Sequence, residues 1–319
     1  MAGCQFWVEI KGIESETGLG TISLAPSLEE NCSCGNVRKF ASFGETLPVG
    51  MKSFLHKHEV WLFLILLVLV NAVFVTSVVE GVIPEKFYSL GRFFLLGALL
   101  FGLVFCLRGF SGVWDILRPM IEWRRSIWLY AFALLWTLAL CLIVLIGKGV
   151  ITGRFLTTQD LVPGIKSLPS LMPILLVSSF IGEMVWISYA VRKLSKTFTH
   201  YVSALIVGFF WTLWWLPMVV HNYGIIPNLP FVALLINQMG IAAMCAFVYY
   251  HTKSGLLVLI MQIVFNATIL IFPVTPNEGG PLTYWAFAIT YFIAATLLFF
   301  GFGPNPLHGS DKFGRMQTS

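Results

Sequence analysis

Residues 60–79 read VWLFLILLVLVNAVFVTSVV, twenty consecutive positions without a charge. About 20 helical residues span the hydrocarbon core of a bilayer. Seven more apolar runs of near-membrane length follow, at 93–107 (extended at its start), 127–147, 169–191, 202–220, 230–250, 254–273 and 284–302. The pattern predicts an all-α fold, a polytopic transmembrane bundle of about eight helices.

Composition supports this. The chain has 319 residues, 57% hydrophobic and 11% charged, whereas soluble domains carry about 25% charged residues. So few charges cannot cover a water-facing surface, so lipid must solvate much of it. The net charge of +5 is spread in short clusters between apolar runs, without the basic stripe of a nucleic-acid binder. The expected partner is therefore the lipid bilayer, and nucleic acid is not expected.

Residues 1–56 are polar, with six Glu against Lys11, Arg38, Lys39 and Lys52. They lack the basic, apolar and small-residue order of a secretory signal. They are expected to form a cytoplasmic extension, followed by a bundle over 57–303 and a short tail over 304–319. Cys32 and Cys34 have no matching Cys or His pair nearby, so they and Cys4 read as free thiols rather than a zinc site. Cys106, Cys141 and Cys245 lie in apolar runs, where Cys packs as a small hydrophobe.

Basic residues set the expected topology. Arg108, Arg118, Arg124 and Arg125 follow the second run. Arg192, Lys193 and Lys196 follow the fourth, Lys253 the sixth, and Lys312 and Arg315 lie in the tail. The connections after the fifth and seventh runs have no Lys or Arg. Both termini are expected in the cytoplasm, with the bundle in a prokaryotic plasma membrane. The connection holding Lys148, Arg154 and Lys166 departs from this pattern. Between the second and third runs, residues 109–126 read GFSGVWDILRPMIEWRRS. Val113, Ile116, Leu117, Met120 and Ile121 recur at roughly helical spacing. This predicts an amphipathic interface helix with Trp114 and Trp123 at headgroup depth.

An ionisable residue inside a span costs roughly 2.5–3.5 kcal/mol on insertion scales. Glu183 lies in the fourth run, Asn237 and Gln238 in the sixth, Gln262 and Asn266 in the seventh, and His221 at the end of the fifth. Gln262 and Asn266 are i and i+4 and share a helix face. Glu183 could meet them across the bundle. Both a polar pocket and an interhelical hydrogen-bond clamp fit this spacing.

The chain resembles the CPBP family of intramembrane proteases, the CAAX proteases and bacteriocin-processing enzymes that include the Ras-converting type. The family motif like GEEIGWRGYLLPRL matches Gly182-Glu183-Met184-Val185-Trp186-Ile187-Ser188-Tyr189-Ala190-Val191-Arg192-Lys193-Leu194. The motif like LLWGLWHLP matches FFWTLWWLP at 209–217. The last motif matches Thr252-Lys253-Ser254-Gly255-Leu256 and then Gln262 to Asn266. The resemblance covers roughly 90–302.

It implies an intramembrane endopeptidase fold with degenerate chemistry. The motif's first Glu falls on Gly182, its second on Glu183, its Arg on Ile187, its two His on Trp215 and Gln262, and its Asn on Asn266. The best surviving positions are Glu183 and Asn266. Hydrolysis needs a base within reach of the water. Gly182 has no side chain, and Trp215 can only donate. Gln262 and Asn266 could serve an oxyanion, but nothing supplies the nucleophile. Glu183 alone is no metal-ligand set, so neither a metal nor a cofactor is expected. With Ile187 at i+4, Glu183 must be neutral or hydrogen-bonded by Asn266, Gln262 or Tyr189. The expected function is that of a pseudoprotease, which binds another membrane protein or a transmembrane or lipid-like ligand. The alternatives are an active endopeptidase with an altered site on Glu183 and Asn266, and a transporter.

Overall fold

The computed structural model describes residues 49–304, with side chains from His58 onward. Most of the expected extension over 1–56, including Cys4, Cys32 and Cys34, lies outside the described residues, as does nearly all of the tail with Lys312 and Arg315. The backbone at 49–56, assigned to the extension from sequence, is helical and continuous with the first span.

Among the described residues, eight helices are long and apolar enough to cross a membrane. They are α1 (Val49–Val79), α2 (Tyr88–Leu117), α3 (Ile127–Thr152), α4 (Thr158–Leu194), α5 (His200–His221), α6 (Phe231–Thr252), α7 (Gly255–Ile271) and α8 (Pro281–Phe302). The chain is an integral, multi-pass membrane protein. Large apolar side chains face outward along α1 (Ile65, Leu69, Val73), α3 (Ile143, Ile146, Val150) and α8 (Ile293, Leu297, Phe300). A soluble protein would bury such residues; here they form the lipid-facing perimeter.

The interior is built on α4 and α6, whose most apolar windows are each 67% buried, against 28–44% for the other spans. Helix α6 packs on α5 and α8, and α7 lies against α3 and α4. Small residues permit these close crossings. A Cβ at Gly208 on α5 would stand 2.6 Å from the Met239 Cα of α6.

Three local features differ from the sequence reading. Helix α4 starts at Thr158, eleven residues before the expected run, on a capping box of Thr157 and Asp160. It carries Pro163, Pro169 and Pro173 inside it, which membrane helices tolerate because neighbours re-satisfy the freed carbonyls. Lys166 therefore sits on α4 rather than in a loop, and Lys148 lies on α3, which runs on to Thr152. Residues Glu183–Val191 form a π-helical stretch, every one of them buried, where α2, α5, α6 and α7 converge. The interface helix expected over 109–126 is shorter and joined to α2. Gly109, at φ 65° and ψ −157°, redirects the chain, a conformation open in practice to glycine alone. After it, Gly112, Ile116 and Pro119 turn inward, while Trp114, Ile121 and Trp123 face out.

Hydrogen bonds tie each end of the bundle. At one end the Tyr88 hydroxyl donates to the Tyr223 carbonyl at 3.1 Å and Lys148 Nζ to the Gly279 carbonyl at 2.7 Å. At the other, Arg125 Nε donates to the Thr252 carbonyl and Ser254 Oγ to the Glu122 carbonyl, both at 2.6 Å. There too, Glu59 is buried beneath Arg108, Lys193 and Tyr189, all of which donate to its carboxylate. This joins α1, α2 and α4 through one carboxylate. Removing one member of a buried charge cluster costs roughly 3–5 kcal/mol. Glu59→Ala is expected to lower the thermal midpoint in detergent by several degrees, read by intrinsic fluorescence. An unchanged midpoint would show that the cluster adds nothing to stability.

Candidate functional site

Helix α4 presents Ser179, Gly182 and Trp186, one turn apart, toward α7 and α5. Asn266 Nδ2 donates to Ser179 Oγ at 3.0 Å. Gly182 leaves room for Gln262: a Cβ there would lie 3.3 Å from the Gln262 Oε1. Trp186 stacks on Trp211 with centroids 5.4 Å apart, and Trp214 meets Trp186 and Trp215 edge-on.

Of these residues, Gly182, Trp186, Trp211, Trp214, Trp215, Gln262 and Asn266 line a cavity of about 240 Å³. A second cavity of about 510 Å³ shares the wall formed by Trp211, Trp215, Gly224, Gln262 and Asn266. It runs among α5, α6, α7, α8 and the 222–230 connection, past Asn237, Gln238 and Tyr284. No Asp, Glu, His, Lys or Cys lines either cavity.

Four of the six motif positions, Gly182, Trp215, Gln262 and Asn266, thus surround one space. The other two do not. Ile187 is fully buried away from it. Glu183, fully buried, faces the other end of the bundle, where a Cβ on Gly255 would lie 3.0 Å from its Oε1 and 3.2 Å from the Met120 Sδ and Pro119 Cβ. None of Asn266, Gln262 or Tyr189 bonds to it. Its partner is Ser188, whose Oγ donates to Oε1 at 2.7 Å. The π-helical winding explains this choice, because it brings residue i+5, not i+4, over residue i. Glu183 Oε2 has no partner.

Sequence reading missed Arg92. The apolar run starts at Phe93, which left Arg92 outside, but α2 starts at Tyr88 and carries it inward. It is 3% exposed and lines the smaller cavity. Its guanidinium carbon lies 4.1 Å from the Trp214 ring centroid, 5.1 Å from Trp215 and 5.3 Å from Tyr88. Asn71 positions this group, donating to the Trp214 carbonyl at 2.7 Å and accepting from Arg92 Nε at 3.4 Å. His221 contacts Thr76 at 3.3 Å and lines neither cavity. His200 and His251 lie on α5 and α6 with their rings against Tyr250. Among the described residues, no three His, Cys, Asp or Glu side chains gather as metal ligands.

The cavity can hold and donate to a ligand. None of its wall residues can take a proton from water near neutral pH. Searched against protein-family models and curated proteins, the chain matches none.

The Ser188–Glu183 bond supplies a test. Ser188→Ala strips the carboxyl of its bonded partner and is expected to cost about 1–3 kcal/mol. Glu183→Met made in the same chain removes the orphaned group and is expected to recover most of that loss. A double variant no more stable than Ser188→Ala in chemical denaturation would refute this account of the pair.

Proposed function

We propose that this protein is a CPBP-like membrane protein that binds without cutting, holding a lipid-like or transmembrane ligand in its two adjacent cavities. The observation that carries the reading is the wall chemistry. The positions that correspond to the family's reacting groups surround the cavity as Gly182, Trp215, Gln262 and Asn266, none of which is a base. Glu183, the acid kept by the motif, has its carboxyl against Ser188 and Gly255 instead. Asn266 bonds to Ser179 and faces the cavity, so the pair does not converge on one water or one scissile carbonyl. The larger cavity, of about 510 Å³, falls by itself in the range of small-molecule sites.

The same proposal places the end bearing Arg118, Arg124, Arg125, Lys193 and Lys196 in the cytoplasm, with both termini, and the 222–230 connection, whose Gly224 lines both cavities, on the opposite side. Single cysteines introduced at Asn228 and Lys196 in a background without native cysteines test this. Impermeant maleimide added to intact cells is expected to label the Asn228 site and not the Lys196 site; the reverse pattern would invert the topology.

Purified protein in proteoliposomes is expected to leave prenylated and transmembrane peptides uncut, with wild type and Glu183→Ala indistinguishable. A ligand at a hundredfold excess over its Kd is expected to stabilise the fold by about 2.7 kcal/mol. Specific cleavage lost in Glu183→Ala would replace this reading with an active endopeptidase.

A further inference from the structure

Arg92 carries a buried charge without a counter-ion. Among the described residues no carboxylate pairs with it. Its bonds to Asn71 and to the Tyr88 hydroxyl are both 3.4 Å, and its Nη2 has no partner. The Trp214 and Trp215 rings offset part of the desolvation through cation–π attraction, about 0.5–2 kcal/mol each. They do not neutralise the charge, and an isolated ion in the interior remains costly. Two further donors on the same cavity wall lack acceptors, Trp215 Nε1 and Gln262 Nε2. Three unpartnered N–H groups, one of them cationic, come from α2, α5 and α7. A planar, forked guanidinium is suited to a carboxylate or phosphate oxygen pair.

Past the shared wall, the larger cavity offers mainly apolar surface from Ile225, Ile226, Leu229, Leu234, Phe265 and Ile269. We propose that the ligand is an anionic amphiphile. Its carboxylate or phosphate head sits against Arg92, Trp215 and Gln262, and its hydrocarbon tail lies in the larger cavity. This rests on the binding reading above and adds the charge and polarity of the ligand. The head resolves the orphaned donors, and the tail covers the apolar side chains of the larger cavity.

The test uses the full-length protein in nanodiscs of zwitterionic lipid, with quenching of tryptophan fluorescence by brominated probes. Three probes share one acyl chain: a brominated fatty acid, its methyl ester and a brominated phosphatidic acid. The wild type is expected to bind at least one acid about ten- to a hundredfold more tightly than the neutral ester, the ratio one charge-assisted contact supplies. Which acid wins separates a carboxylate from a phosphate ligand. Arg92→Gln is expected to erase the preference while still binding the ester, and Arg92→Lys to keep part of it. Equal binding of acids and ester by the wild type would overturn the anionic assignment and leave the cavity reading standing. Saturable quenching by none of the probes would overturn both. The wild-type comparison alone decides the matter if Arg92→Gln fails to fold.

Discussion

A polar group inside hydrocarbon has no water to turn to, so the protein must supply its partner or leave it to a ligand. The eight helices meet this demand for the backbone. The Glu59 cluster meets it for charge, by surrounding one buried carboxylate with three donors from α2 and α4. The cavity around Arg92 does not meet it. There, donors outnumber acceptors, and no acidic side chain closes the account. The contrast between a satisfied cluster at one end and an unsatisfied one toward the other is the physical basis for reading the second as a binding site.

The same demand explains how α4 is built. Its prolines are carried within a packed span, and its π-helical stretch sits where four other helices converge. Wider winding turns Ser188 toward Glu183 and fixes the carboxyl against Gly255, away from Gln262 and Asn266. Gly182, one residue earlier, faces the cavity, where its missing side chain admits Gln262. One residue of helix rotation thus separates the Glu183 carboxyl from the cavity.

Much of the fold was legible because apolar length is a strong signal. All eight spans were found. What sequence reading lost lay at the edges of the runs. Glu59 precedes the run at 60–79 by one residue, and Arg92 precedes the run at 93–107 by one. A hydropathy reading stops at a charge, yet both helices continue through these residues into the protein interior. The start of α4 was misplaced for a related reason: Asp160, Lys166 and three prolines dilute its first half. The partner of Glu183 was misjudged because α-helical spacing was assumed where the backbone is π-helical. Gly182, Trp215, Gln262 and Asn266 could be grouped from motif order, but only the three-dimensional packing separates them from Glu183.

The central claim is that the adjacent cavities hold a ligand intact. Native mass spectrometry of the protein, extracted in mild detergent and released in the gas phase, measures this directly. A discrete bound mass is expected on the wild type, lost when Asn266→Trp fills the shared wall and retained when Glu183→Ala leaves that wall untouched. A wild type that flies empty, or with the same adducts as Asn266→Trp, would contradict it.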